Sequence, residues 1–174
     1  MTKKELAQKI FDVAHITGEF KLRSGIVSNE YFDKYQFESR PDLLTEIATH
    51  LQTIIPNDFD ILAGLEVGGI PIATVLGIKT NKPIVFVRKK SKEYGTAKLV
   101  EGVDVKNSKL LIVEDVVTSG GQIILSVEDL RKYGAKIEKA ICVIDREQGG
   151  KEALEKIDVE LIPLFTISEL KQQP

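Results

Sequence analysis

Residues 110–121 read LLIVEDVVTSGG. The apolar residues Leu110 to Val113 run straight into two adjacent carboxylates, Glu114 and Asp115, and then through two valines into Thr118, Ser119, Gly120 and Gly121. An apolar run of this length, bounded by polar turn residues, is the pattern of a strand buried on both faces inside a parallel sheet. Its last residues then surface at the carboxyl edge of that sheet. Open α/β sheets place their ligands at that edge.

The pattern continues on both sides. DILAGL from Asp60, PIVFVR from Pro83, KLLIVED from Lys109, EKAICVID from Glu138 and VELIPLF from Val159 are short, apolar and rich in Val and Ile, and read as strands. Helical stretches separate them. In SGGQIILSVEDLRKYG, residues 119–134, the residues Ile123, Ile124, Val127 and Leu130 form one apolar stripe, and Gly134 supplies a left-handed carboxyl-terminal cap. Leu6, Ile10, Val13 and Ala14 recur at helical spacing near the amino terminus, and Pro41 opens a further helix as a first-turn proline would. Strands alternating with helices predict a mostly parallel central sheet with helices on both faces.

Bulk composition narrows the partners. The 174 residues suit one domain of ordinary size, and 43% hydrophobic residues suffice for a core. With 24 Lys and Arg against 26 Asp and Glu, no basic footprint points to nucleic acid, so an anionic ligand must be held by local clusters. The single cysteine, Cys142, sits in an apolar strand and reads as a small buried hydrophobe. The charged amino terminus lacks a signal-peptide core, and the longest apolar run, residues 69–78, is about half of what a membrane-spanning helix needs. The expectation is a cytoplasmic protein with no membrane partner.

Several chemistries drop out. G-x-x-x-x-G-K-[ST] and G-x-G-x-x-G are missing, as are H-E-x-x-H and G-x-S-x-G. Both histidines, His15 and His50, fall in predicted helices and read as ordinary helix residues. What remains is residues 118–121, between a strand and a helix, where free backbone N–H groups and the helix dipole favour an anion. Thr118 and Ser119 add hydroxyl donors to this phosphate cradle. Glu114 and Asp115 would repel a phosphate, so they must face something else: the vicinal hydroxyls of a ribose, or Mg²⁺.

A second strand-to-helix turn lies in AGLEVGGIPIAT, residues 63–74, where Gly68 and Gly69 read as another anion loop. The segment from Arg88 to Lys109 is too polar for core and too long for an ordinary connection, which marks a functional loop. Arg88, Lys89, Lys90 and Lys92 place four positive charges within five residues. Such a run is either a solvated tip or a group that an anion joins. The stretch AKLVEGV, residues 97–103, reads as an added strand beside it.

The stretch LLIVEDVVTSGG resembles the 5-phosphoribosyl-1-pyrophosphate (PRPP) motif of the type I phosphoribosyltransferases. The resemblance implies that fold, with Glu114 and Asp115 on the ribose hydroxyls and Thr118, Ser119, Gly120 and Gly121 on the 5′-phosphate. Three more stretches are similar to the orotate phosphoribosyltransferases: GEFKLRSGIVSNEYFD from Gly18, VRKKSKEYG from Val87 and DREQGG from Asp145. Together with the PRPP motif they span most of the chain, from Gly18 through the DREQGG stretch.

The resemblance implies residues 1–174 as one phosphoribosyltransferase domain, with residues 1–40 as an amino-terminal hood over the base and residues 88–108 as a mobile catalytic loop. It implies orotate bound by Arg23, Tyr31, Phe32, Thr118 and Arg146, with Asp145 and Glu147 holding Arg146 in register. PRPP would be bound by Gly68, Gly69, Arg88, Lys89 and Lys92 besides the motif residues. Catalysis would rest on Lys92, Arg88 and Asp115, with Mg²⁺ arriving on PRPP and lying near Asp115. Lys92 would close over the neighbouring subunit's site, which makes the expected assembly a homodimer with loop exchange. A forked guanidinium suits a planar carboxylate, and an aromatic ring covers the base, so the residue types fit orotate chemically.

The chain departs from the family twice. Val67, Gly68 and Gly69 stand where many orotate enzymes carry Tyr-Lys-Gly, and Tyr94 stands where many carry histidine. Two competing functions keep the same pocket: a nucleotide-sensing regulator, and a phosphoribosyltransferase for another base. The first would add a DNA-binding element that the chain does not display.

Overall fold

The computed structural model describes residues 1–21, Gly25, 27–90 and 99–172. The chain opens with helix α1 (Lys3–Ala14), which Thr2 caps by accepting a hydrogen bond from the Glu5 amide while the Glu5 carboxylate accepts one from the Thr2 amide. A hairpin follows, β1 (His15–Lys21) and β2 (Val27–Phe32), then a single turn α2 (Tyr35–Glu38) and helix α3 (Pro41–Gln52). The rest alternates: β3 (Ile61–Leu65), α4 (Gly69–Thr80), β4 (Ile84–Val87), β5 (Val100–Gly102), β6 (Lys109–Val117), α5 (Gly121–Lys132), β7 (Lys136–Asp145), α6 (Gly150–Glu155), β8 (Glu160–Thr166) and α7 (Ile167–Lys171).

Among the described residues, six strands form one sheet in the order β5-β4-β3-β6-β7-β8, and β1 and β2 pair separately. The five strands from β4 to β8 are parallel. Only β5 runs antiparallel, on the edge beside β4. Side-chain alternation sends Leu62, Leu111, Val113, Ile141 and Val143 to one face, where they meet Leu6 and Ile10 of α1, Ile47 and Leu51 of α3 and Ile72 and Leu76 of α4. Ile61, Ala63, Leu110, Ile112, Ala140 and Cys142 go to the other and meet Ile123, Val127 and Leu130 of α5 and Leu154 of α6. A sheet buried on both faces needs continuous apolar strands, and β3 is buried at all five positions. Burial pushes the Cys142 thiol well above its ordinary pKa and leaves it inert.

Helix α5 ends as the sequence predicts, with Gly134 at φ +84° and its amide bonded to the Arg131 carbonyl at 2.9 Å. Two boundaries move. Helix α5 starts at Gly121, two residues later than expected, which leaves Thr118 to Gly120 in the turn. Strand β6 continues past the acids to Val117, because β7 keeps pairing with it as far as Asp145. Glu114 and Asp115 are therefore within the strand and buried, at 8% and 0% exposure, instead of at its exposed end.

Strands β3 and β6 are neighbours, yet the chain leaves β3 towards β4 on one side and leaves β6 towards β7 on the other. That reversal opens a crevice at their carboxyl ends.

Candidate active site

The crevice gathers five chain segments. The turn after β3 (Glu66 to Gly69), the start of the loop after β4 (Arg88 to Lys90), the turn after β6 (Thr118 to Gly120), Arg146 after β7 and α7 after β8 all sit on one edge of the sheet.

The turn after β6 lines an open pocket of roughly 250 Å³ together with Glu114, Val116 and the first turn of α5. Gly120 takes φ +76°, a left-handed conformation that suits glycine, and it lies against the backbone of Gly150. Gly150 in turn is packed so closely that a methyl group there would fall 2.6 Å from the Thr118 carbonyl oxygen. The turn after β6 and the DREQGG turn are thus one packed unit.

Beneath the cradle lies a buried charged cluster. The Lys34 ammonium, at the amino end of α2, forms an ion pair with the Asp115 carboxylate. Glu38, one helical turn further on, brings a second carboxyl to the same place. The Asp115 amide donates to Glu114 Oε1 at 3.1 Å, and the Val116 amide donates to Asp115 Oδ1.

The electrostatics shift these groups in different directions. Burial, then the Asp115 charge, hold Glu114 well above the usual carboxylate range. Burial and Asp115 likewise push Glu38 up to about 9. Burial also opposes the charge on Asp115, but contacts with Glu38, Glu114 and Lys34 outweigh it and lower its pKa. For Lys34 burial is again outweighed, by Asp115, and the ammonium is held above its ordinary value. The cluster thus favours an ionised Asp115 facing the Lys34 ammonium, and raises the proton affinity of Glu38 and Glu114 beside it.

The turn after β3 packs directly on this cluster. An added Cβ at Gly68 would fall 1.5 Å from Asp115 Oδ2, and one at Gly69 would fall 2.2 Å from the Val113 carbonyl oxygen. The Lys89 amide donates to Glu66 Oε1, which ties the loops after β3 and β4 together. Arg88 is anchored by its amide to the Leu99 carbonyl at 2.9 Å, and its buried Nε has no hydrogen-bond partner among the described residues.

A second pocket, about 120 Å³, brings together Tyr31, Phe32 and Arg146 with His15, Glu30 and Lys171. Here two expectations are corrected. His15 caps α1 and opens β1, stacks on Phe11 at 4.6 Å and lines this pocket, so it is not a helix residue remote from the site. Asp145 accepts from the Glu147 amide at 2.9 Å and Glu147 accepts from the Ser168 amide at 3.0 Å, so both acids brace the turn and α7 instead of Arg146. The buried Arg146 Nε has no hydrogen-bond partner among the described residues.

Glu30 sets the charge of this pocket. A hydrogen bond from Lys171 at 2.8 Å, then one from His15 at 2.9 Å, lower its carboxyl to about 2. Its charge is therefore taken up by Lys171 and His15.

The structure thus groups Glu114, Asp115, Thr118, Ser119, Gly120, Gly121, Gly68 and Gly69 at the crevice, with Arg88 and Lys89 on its flank, and Tyr31, Phe32 and Arg146 in the adjoining pocket. Arg23, Lys92 and Tyr94 lie outside the described residues. Sequence reasoning missed Lys34, Glu38, His15, Glu30 and Lys171. Only the four-residue spacing of Lys34 and Glu38 around the apolar Phe37 was there to be read.

The described residues contain no group of three or more His, Cys, Asp or Glu placed to hold a metal. Asp115 already faces an ammonium. The donor set therefore fits a cation that enters with a substrate's own oxygens, and it does not form a metal cage of its own. No helix among the described residues is long and apolar enough to cross a membrane.

Known proteins share this arrangement. The family model for the phosphoribosyl transferase domain matches residues 36–168. An orotate phosphoribosyltransferase of Nocardioides sp. is 44% identical over 165 residues, covering 95% of this chain and 92% of that protein. The crystal structure of orotate phosphoribosyltransferase from Aeropyrum pernix is 30% identical with a TM-score of 0.84, and covers 95% of each chain. That of Mycobacterium tuberculosis H37Rv, 25% identical, superposes with a TM-score of 0.87 over 97% of this chain and 98% of that one. With a crevice at the carboxyl ends of β3 and β6 and relatives matching along nearly its whole length, the chain belongs to the orotate phosphoribosyltransferase family.

Proposed function

We propose that this chain transfers ribose 5-phosphate from PRPP to N1 of orotate, giving orotidine 5′-monophosphate and pyrophosphate in pyrimidine nucleotide synthesis. The observation that carries the reading is the buried Glu114–Asp115 pair set directly behind the Thr118–Gly121 cradle. Acceptors for two vicinal hydroxyls then stand next to donors for a phosphate.

The transfer builds oxocarbenium-like charge at C1 of the ribose, so the protein's work is to position both substrates and stabilise the departing pyrophosphate. Asp115 and Glu114 take the ribose 2′ and 3′ hydroxyls, and the backbone and hydroxyls of residues 118–121 take the 5′-phosphate. Gly68 and Gly69 let the pyrophosphate approach the backbone at the start of α4, with Arg88, Lys89 and Lys92 supplying positive charge. Orotate lies in the adjoining pocket, with Arg146 on its carboxylate and Tyr31 and Phe32 on the ring; Arg23 and Thr118 complete that set. Mg²⁺ carried in by the pyrophosphate oxygens would neutralise charge on the leaving group near Asp115.

The same reading makes the assembly a cytoplasmic homodimer whose loops, each bearing Lys92, close over the partner's site and exclude water. Incubating the protein with PRPP, Mg²⁺ and orotate should yield orotidine 5′-monophosphate and pyrophosphate in equal amounts. Absence of both products above a protein-free blank would contradict the proposal.

A further inference from the structure

We infer that Lys34 is a positioning residue for ribose recognition: its ammonium holds the Asp115 carboxylate in place beneath the sugar, from the hood side of the crevice. The inference rests on the reading of Asp115 as the acceptor of a ribose hydroxyl.

Asp115 has no exposed surface, and Lys34 is the cation the structure sets against it. A carboxylate so placed needs a fixed counter-charge, because burial otherwise favours its neutral form, and a neutral carboxyl is a poorer acceptor for a hydroxyl. The loop after β3 cannot deliver that charge through residue 68. Any side chain there would run into Asp115 Oδ2 at 1.5 Å and Glu38 Oε1 at 2.8 Å.

The cation comes instead from α2, and the local sequence explains how. Lys34 and Glu38 are one helical turn apart and share a face, while Phe37 between them is fully buried and pins the turn to the core. The Phe37 and Glu38 amides both bond the Lys34 carbonyl at 3.2 Å, which fixes the backbone from which the ammonium reaches. Lys34 also lies over the Tyr35 ring at 5.3 Å, a further restraint on its stem. This makes the segment after the hairpin part of the ribose site as well as a cover for the base.

The test is steady-state kinetics on Lys34→Met and Lys34→Arg, with KM for PRPP and for orotate measured separately and melting temperatures recorded. Lys34→Met should raise the PRPP KM about tenfold or more, the loss expected for a charge-assisted contact, with the orotate KM moving less than about threefold. Lys34→Arg, which keeps the charge, should restore most of the PRPP affinity even if Lys34→Met folds poorly. In calorimetric PRPP titrations, Lys34→Met should add almost nothing in an Asp115→Asn background, because the charge it holds is gone.

Equal changes in both KM values, a loss that only tracks the folded fraction, failure of arginine to restore PRPP affinity, or full additivity with Asp115→Asn would each overturn the inference. The wild type is run in the same assay. If it makes no orotidine 5′-monophosphate, the functional reading fails and this inference with it; normal wild-type turnover with an unchanged PRPP KM in Lys34→Met overturns this inference alone.

Discussion

Gly68 and Asp115 are in contact across the crevice: the turn after β3 passes so close to β6 that an added methyl group at residue 68 would overlap the Asp115 carboxylate, 1.5 Å from Oδ2. The two ligand-facing edges of the sheet are therefore one packed unit. Gly68→Ala should displace Asp115 and cost about 1–3 kcal/mol of stability, the usual penalty for overpacking, while also weakening PRPP binding. Thermal melts and calorimetric PRPP titration check both effects. Wild-type values for the pair would mean that the contact is not tight.

Glu38 gives the chain a pH signature. Its folded pKa, about 9, lies above the ordinary 4.5, so between those values the folded protein keeps a proton that the unfolded chain releases. Stability contributed by this group is present below the unfolded pKa and lost as pH rises through that window. Glu38→Gln should therefore melt increasingly above the wild type as the pH is taken from about 5 to about 8.5. A difference that does not grow with pH would contradict the assignment of a neutral Glu38.

Arg146 lines the adjoining pocket and has a buried Nε with no hydrogen-bond partner among the described residues, while Glu30 in that pocket is already held by Lys171 and His15. Arg146→Ala should raise the orotate KM by a factor equivalent to about 1.5–3 kcal/mol and change the PRPP KM much less. Uracil, which lacks the carboxylate, should gain relative to orotate. Equal effects on both substrates would remove Arg146 from the base site.

What could be read in advance divides along physical lines. The parallel strands were legible because burial on both faces demands unbroken apolar runs, as in β3 and in Leu110 to Val113 of β6. Helix α5 was legible from its stripe and its capping Gly134. The hairpin of β1 and β2 was not read as strands, because its residues are mostly exposed and carry no apolar alternation. The short helices α6 and α7, at six and five residues, lack the turns needed to show a period. Glu114 and Asp115 were found from the acids and the turn beside them. Lys34 was missed because its partner Asp115 lies far along the chain, and the spacing of Lys34 and Glu38 alone says nothing of that contact.

Lys92 carries the expectation of loop exchange. If it reaches the leaving pyrophosphate across a dimer, Lys92→Ala should lower turnover by about two factors of ten with little change in PRPP binding, since the contact strengthens in the transition state. Mixing inactive Lys92→Ala subunits with inactive Asp115→Asn subunits should restore activity, because one site of each hybrid dimer is then complete. Hybrids that stay inactive after verified subunit exchange would place Lys92 in its own subunit's site or outside catalysis.

The most direct test of the central claim is the base preference itself, read as kcat/KM with PRPP and Mg²⁺ for orotate, uracil, hypoxanthine and adenine side by side. Arg146 lining one pocket with Tyr31 and Phe32 predicts turnover with orotate and, for each uncharged base, a kcat/KM lower by at least about tenfold, the loss of one charge-assisted contact. Preference for any of the other three bases, or tight PRPP binding with no turnover of any base, would contradict the account.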